Sequence, residues 1–297
     1  MQRSSPPVAL STASVYPEPT RAAFEVAAEL GYDGIELMVW HDPVSQDVSA
    51  VERLSQRYGV PVLAVHAPCL AVTQRVWDAD PVSRLRRSVE AAETLGAATV
   101  VVHPPFRWQR RYAERFTDEV ARATEYSGVA LAVENMFPLA RGRLRTVPYS
   151  PGFDPTEVGH RHYTLDLSHT AVAGVDPLDL LERMGSGLAH VHLADGSGSP
   201  RDEHLVPGQG SQPCAEVLER LAARGFTGAV SLEVNTRRCR SRDERMGMLA
   251  ESLLFARVHL TPDWARNAIS LPRSTTVGAT TRPARRWRLA PLRSYRW

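Results

Sequence analysis

Apolar residues along this chain repeat in two alternating rhythms. Short β-branched runs at 8–12, 34–39, 61–68, 99–105, 129–136, 162–169, 188–195 and 228–235 read as eight strands. Between them, apolar positions recur three and four residues apart over 19–31, 48–59, 80–96, 108–127, 176–185, 213–224 and 242–259, with a short helix near 155–160. In the 80–96 stretch the apolar face is Val82, Leu85, Val89 and Ala92, while Gly31 and Gly59 close the first two helices. Strict strand–helix alternation implies a parallel sheet with helices outside, and eight such units close it on itself. The expected fold class is α/β, a parallel eight-stranded (β/α)8 TIM barrel over residues 1–260. An open doubly wound sheet is the alternative. It has fewer strands and a glycine-rich phosphate turn after the first one, where this chain has STASVYPEPT.

Periodicity stops near residue 260. The remaining 261–297 carries eight arginines against one acid, Asp263, and is rich in Pro and Thr, which predicts a disordered basic tail. Its tryptophans and tyrosine (Trp287, Tyr295, Trp297) leave an anionic partner as a second reading of that segment. The overall charge of +2 thus conceals an acidic body. All basic residues are arginine, so Schiff-base catalysis and a lysine-bearing phosphate loop are excluded. Cys69, Cys214 and Cys239 show no metal-ligand spacing and no disulfide framework, and the N-terminus has no apolar signal region. No apolar run has the length of a membrane span. A cytoplasmic protein follows as the expectation.

In a barrel of this kind, chemistry sits where strands end and loops begin. The third strand ends with His66, the fourth with His103, the fifth with Glu134, and the sixth with Asp166 and His169. The seventh carries His192, its loop adds Asp202 and His204, and the eighth ends with Glu233. One such residue at a strand end is usually structural; nine at six successive ends is a ligand set. Clustered carboxylates need a cation between them, and imidazole mixed with carboxylate suits Zn, Mn, Co or Fe. His190, two residues before His192, points inward one layer deeper and reads as a supporting group. Glu36 is expected at the rim, touching a substrate hydroxyl or serving structure, and Trp40 and Trp108 follow strands where they floor a sugar pocket or pack loops.

The segments LDLSHTAVAGVDP, HVHLADGSGSPRDEHLVPGQG, AVEN, SLEVN and GYDGIEL resemble the xylose isomerase-like (AP endonuclease family 2) barrel superfamily, which holds both sugar epimerases and endonuclease IV. The epimerase design implies one metal on Glu134, Asp166, His192 and Glu233. The endonuclease design implies three zinc ions, adding His66, His103, His169, Asp202 and His204. All nine residues are present here, so the resemblance implies one to three ions. Against DNA repair stand Cys69, where the endonuclease has a tyrosine, and the acidic body.

The leading expectation is a metal-dependent isomerase or epimerase of a sugar, sugar phosphate or polyol. In it Glu134 and Glu233 shuttle a proton, His169 assists at a substrate oxygen and Arg201 holds a phosphate. The alternative is an endonuclease IV-like zinc phosphodiesterase. The expected partner is a small sugar-like molecule, with nucleic acid disfavoured, no membrane and a homodimer left open.

Overall fold

The computed structural model describes residues 5–141 and 144–261. The expectation for the basic tail lies outside the described residues, apart from Thr261.

Eight parallel strands close a barrel: β1 (Val8–Ser11), β2 (Gly34–Met38), β3 (Val62–His66), β4 (Thr99–Val102), β5 (Ala130–Glu134), β8 (His162–Asp166), β9 (Leu188–Leu193) and β10 (Ala229–Leu232). The ring runs β1-β10-β9-β8-β5-β4-β3-β2. The helices between them are α1 (Thr20–Leu30), α2 (Pro43–Gln46), α3 (Val48–Tyr58), α4 (Pro81–Leu95), α5 (Arg110–Ala113), α6 (Phe116–Ser127), α7 (Leu167–Ala173), α8 (Pro177–Met184), α9 (Cys214–Arg224) and α10 (Arg242–Leu260). Among the described residues, no helix is long and apolar enough to cross a membrane.

The period-two alternation of each strand divides its residues between two environments. One set, including Leu10, Ile35, Leu37, Val65, Val100, Leu131, Val133, Leu165, Val191, Leu193 and Leu232, packs outward in the main hydrophobic cluster with the helices. The other set is small or polar, with Ser11, Glu36, Ala64, His66, Ala132, Glu134, Thr164, Asp166, His190, His192 and Ser231 all buried. Apolar area removed from water, at roughly 25 cal/mol per Å², therefore stabilises the layer between sheet and helices. The barrel lumen is left to polar groups that must satisfy one another. Arg257 ties the last helix to the start of the barrel, with bonds of 2.7 and 2.9 Å to the carboxylate of Asp33.

Three local expectations change. The helix at 108–127 is broken into α5 and α6. The Pro/Gly/Arg-rich loop after β5 contains an antiparallel hairpin, β6 (Leu139–Arg141) against β7 (Leu144–Thr146). The strand expected over 162–169 ends at Asp166, because the Asp166 carboxylate accepts the His169 N–H at 2.7 Å and caps α7. A side chain that accepts from a backbone N–H three residues on starts a helix there. His169 thus stands on the first turn of a helix.

A candidate metal centre at the barrel mouth

At the C-terminal end of the strands the polar lumen opens into a cavity of about 860 Å³, lined among others by His66, His103, Glu134, His169, Asp202, His204 and Glu233. The nine predicted ligands gather there in three overlapping groups. In the first, His66 Nε2 and His103 Nε2 lie 3.2 Å apart, with Glu134 Oε2 at 3.5 and 2.8 Å from them. In the second, His192 Nδ1 faces Glu134 Oε1 at 2.9 Å, Glu233 Oε2 at 3.2 Å and Asp166 Oδ2 at 3.4 Å. In the third, Asp202 Oδ2 lies 3.3 Å from His169 Nε2 and 2.8 Å from His204 Nε2. Glu134 spans the first two groups with one oxygen in each.

These spacings fit a divalent metal. Ligand atoms about 2.0–2.2 Å from an ion stand roughly 3–3.5 Å from one another. Glu134 Oε2 and Asp166 Oδ2 are fully buried and lack a hydrogen-bond partner, although ring nitrogens lie 2.8 and 3.4 Å away. Polar atoms that close without pointing at each other converge on a third position. Three carboxylates around one imidazole nitrogen carry more negative charge than a buried site tolerates uncompensated.

Each group is held by the elements that carry it. The ring Nδ1 of His169 bonds the carbonyl of Asn135 at 2.8 Å, which leaves Nε2 for Asp202. His204 adopts a positive φ of 47° and sets Nδ1 2.8 Å from the carbonyl of Glu233. The loop bearing Asp202 and His204 is pinned by Asp195. This fully buried carboxylate accepts the N–H groups of Gly196, Gly208, Gly210 and Gln212 at 2.8–3.0 Å. A Cβ at Gly210 would stand 2.2 Å from Asp195 Oδ1, so only glycine lets the loop come this close.

The environment pushes the two acids apart. Burial alone would raise Glu134, but His192, His103 and His169 reverse this and hold its carboxyl well below the usual carboxylate range. Burial raises Glu233 above that range, with His192 and His204 only partly offsetting it. Burial opposes protonation of His192, yet Glu36, Glu134 and Glu233 outweigh it and lift the imidazole well above its usual value.

Not every predicted residue is in place. Trp40 lines the cavity, facing Tyr16 with ring centroids 6.2 Å apart. Trp108 stacks on Phe106 at 4.2 Å and is mostly exposed, packing loops rather than flooring the pocket. Glu36 is not at the rim: it is fully buried beneath His192, bonded to His190 and His192. Arg201 is exposed and does not line the cavity; the arginine that does is Arg237, whose guanidinium lies 4.7 Å over the Tyr16 ring. Cys69, read from the sequence as a cysteine without metal-ligand spacing, stands three residues after His66 and joins the first group. Its thiol lies within 4.8 Å of ring nitrogens of His66 and His103. Burial would raise that thiol, but the two imidazoles bring it down to about 6.

Comparison with known proteins agrees with the barrel fold. The model of the family described as xylose isomerase-like TIM barrel matches residues 24–258. An uncharacterized protein of Mycobacterium tuberculosis is 60% identical over 272 residues, 85% of this chain and 97% of its own. Fructoselysine 3-epimerase of Shigella flexneri is 23% identical over 244 residues, 73% of this chain and 86% of that one. The crystal structure of D-psicose 3-epimerase with D-tagatose from Clostridium cellulolyticum H10 superposes with a TM-score of 0.62 at 17% identity, covering 86% of this chain and 99% of that one.

Proposed function

Because the chain belongs to the xylose isomerase-like TIM-barrel family, we propose that it is a metal-dependent isomerase or epimerase of a small sugar-like substrate. The observation that carries this reading is the pair Glu134 and Glu233. Both reach the same nitrogen of His192, at 2.9 and 3.2 Å, while their surroundings lower the proton affinity of Glu134 and raise that of Glu233. Two carboxyls with separated proton affinities on either side of one position form an acid–base pair. Zn, Mn, Co or Fe held by Glu134, Asp166, His192 and Glu233 would polarise a substrate carbonyl and acidify the adjacent C–H.

Glu134 then takes the proton from that carbon, and Glu233 returns one from the other side. Asp166 and His192 hold the geometry. His169 is lifted to about 10, since Asp166 and Asp202 outweigh the cost of burial, and so offers a cationic donor to a substrate oxygen at the cavity wall. Trp40 and Tyr16 shape the mouth, and Arg237, with no carboxylate partner among the described residues, takes the anionic end of a sugar phosphate or sugar acid. The names of the relatives support sugar epimerisation.

The test is exchange of substrate C–H protons with D2O. Glu134→Gln and Glu233→Gln each cut exchange by about 10²–10⁴-fold while leaving the fold intact; full exchange in both variants overturns the assignment. A second reading, phosphoester hydrolysis, is favoured by one specific observation: His66/His103 and His169/Asp202/His204 supply two further groups beyond what proton transfer requires. Elemental analysis of natively purified protein separates the two. One ion per chain supports isomerisation, and three zinc ions support hydrolysis.

A further inference from the structure

Beneath the ligands lies a buried carboxylate that proton transfer does not use. We propose that Glu36, braced by His190, is the positioning residue that presents His192 to the metal; this rests on the metal reading above. Glu36 sits on β2 and reaches across the lumen to β9, which is three strands away around the ring. Its Oε2 accepts His192 Nε2 at 3.1 Å and His190 Nε2 at 2.5 Å, and all three side chains are fully buried.

An imidazole has two nitrogens. With Nε2 donating to Glu36, the lone pair of His192 is confined to Nδ1, the atom that faces Glu134, Asp166 and Glu233. Glu36 thus selects both the tautomer and the ring orientation that a ligand at this position needs, and its charge raises the basicity of Nδ1.

Two details separate this arrangement from ordinary core packing. The β2–β3 ladder shifts register between Ile35 and Glu36, an irregularity of the kind that re-aims a side chain. His190 makes its one hydrogen bond among the described residues to Glu36, and its Nδ1 is buried without a partner. A core built only for stability would place an apolar residue at such a position. The structure places there a second donor that holds the Glu36 carboxylate directed at His192.

The experiment is a zinc titration of the full chain against a chromophoric chelator, with thermal unfolding of the metal-free protein alongside. Glu36→Gln keeps the shape and removes the charge. It lowers zinc affinity by about 10- to 100-fold, and ¹H–¹⁵N correlation of the zinc-loaded protein shows the His192 Nε2–H signal displaced. A Glu36→Gln protein that unfolds earlier but binds zinc as tightly as the unmodified chain, with that signal in place, overturns the proposal. If Glu36→Gln does not fold, His190→Gln decides. Weaker zinc binding supports the role, and unchanged binding overturns it. Failure of the unmodified chain to bind zinc is a different result, since it removes the metal reading itself and this inference with it.

Discussion

The side-chain amide of Asn135 grips the backbone of Asp166 in both directions, donating from Nδ2 to its carbonyl at 3.0 Å and accepting its N–H at Oδ1 at 2.8 Å. The pair extends the β5–β8 ladder one step past its last regular partners, Glu134 and Thr164. It therefore fixes the spacing between Glu134 and Asp166, two candidate ligands on neighbouring strands.

Asn135→Ala leaves the buried N–H of Asp166 without a partner and removes one donor from its carbonyl. An orphaned buried group costs about 1–3 kcal/mol, so urea unfolding should show a loss of about that size. Asn135→Asp retains the acceptor and loses the donor. It should fall between the two, and equal stability of all three proteins would show that the bridge contributes nothing.

The double variant His66→Gln/His103→Gln dismantles the first group and spares Asp166, His192 and Glu233. If the protein is an isomerase, C–H exchange survives this change far better than it survives Glu134→Gln, which removes a proton acceptor worth about 10²–10⁴-fold. Loss of exchange comparable to Glu134→Gln would count for a multinuclear mechanism.

Acid sensitivity has a component away from the candidate metal centre. His160 is buried beside Phe116, with ring centroids 5.7 Å apart, and burial pushes its imidazole down to about 4. A folded-state value below the unfolded value of about 6.5 means that protons favour the unfolded chain. His160 therefore has no pH-dependent effect above about 6.5 and destabilises the fold increasingly as pH falls toward 4. His160→Gln should shrink the drop in unfolding free energy between pH 7.5 and 5, by an amount on the order of 2 kcal/mol at most. An identical drop in both proteins would remove His160 from the account.

Arg237 and Arg201 make a paired test of substrate charge. A charge-assisted hydrogen bond is worth about 1.5–3 kcal/mol, so Arg237→Gln should raise KM for a phosphorylated ketose by about 10- to 100-fold. Arg201→Gln leaves it unchanged. Steady-state kinetics on phosphorylated and plain ketoses checks this, and the plain sugar should be indifferent to both changes.

The barrel and the gathering of His, Asp and Glu side chains at its mouth were legible because both depend on periodicity. Alternation places His66, Glu134, Asp166 and His192 on the inner face near a strand end whatever the loops do. Depth and loop path are different matters. Glu36 has the inward parity of a rim residue, but the register shift beside it and the reach of its side chain put it under His192. Arg201 lies three residues before His204 in sequence, yet the loop turns it to solvent. Arg237 reaches the cavity from beyond β10 through a stack on Tyr16, a contact between residues more than two hundred positions apart. Cys69 was in plain sight as HAPC, but His103, the second ring beside it, comes from the next strand. Such facts are tertiary, and no local pattern encodes them.

The Asp195 anchor gives this barrel two kinds of hardware. Glu134, Asp166, His192 and Glu233 are mounted on or just beyond strand ends, whereas Asp202 and His204 ride on a fitting whose loop is gathered on Asp195 and docked onto Ser168. Lineages that share this framework can therefore gain or discard the outer group by reworking one loop, without disturbing the barrel that carries the rest. Under the two proposed readings, a change of chemistry from shifting protons to breaking esters would be a matter of exchanging a cassette.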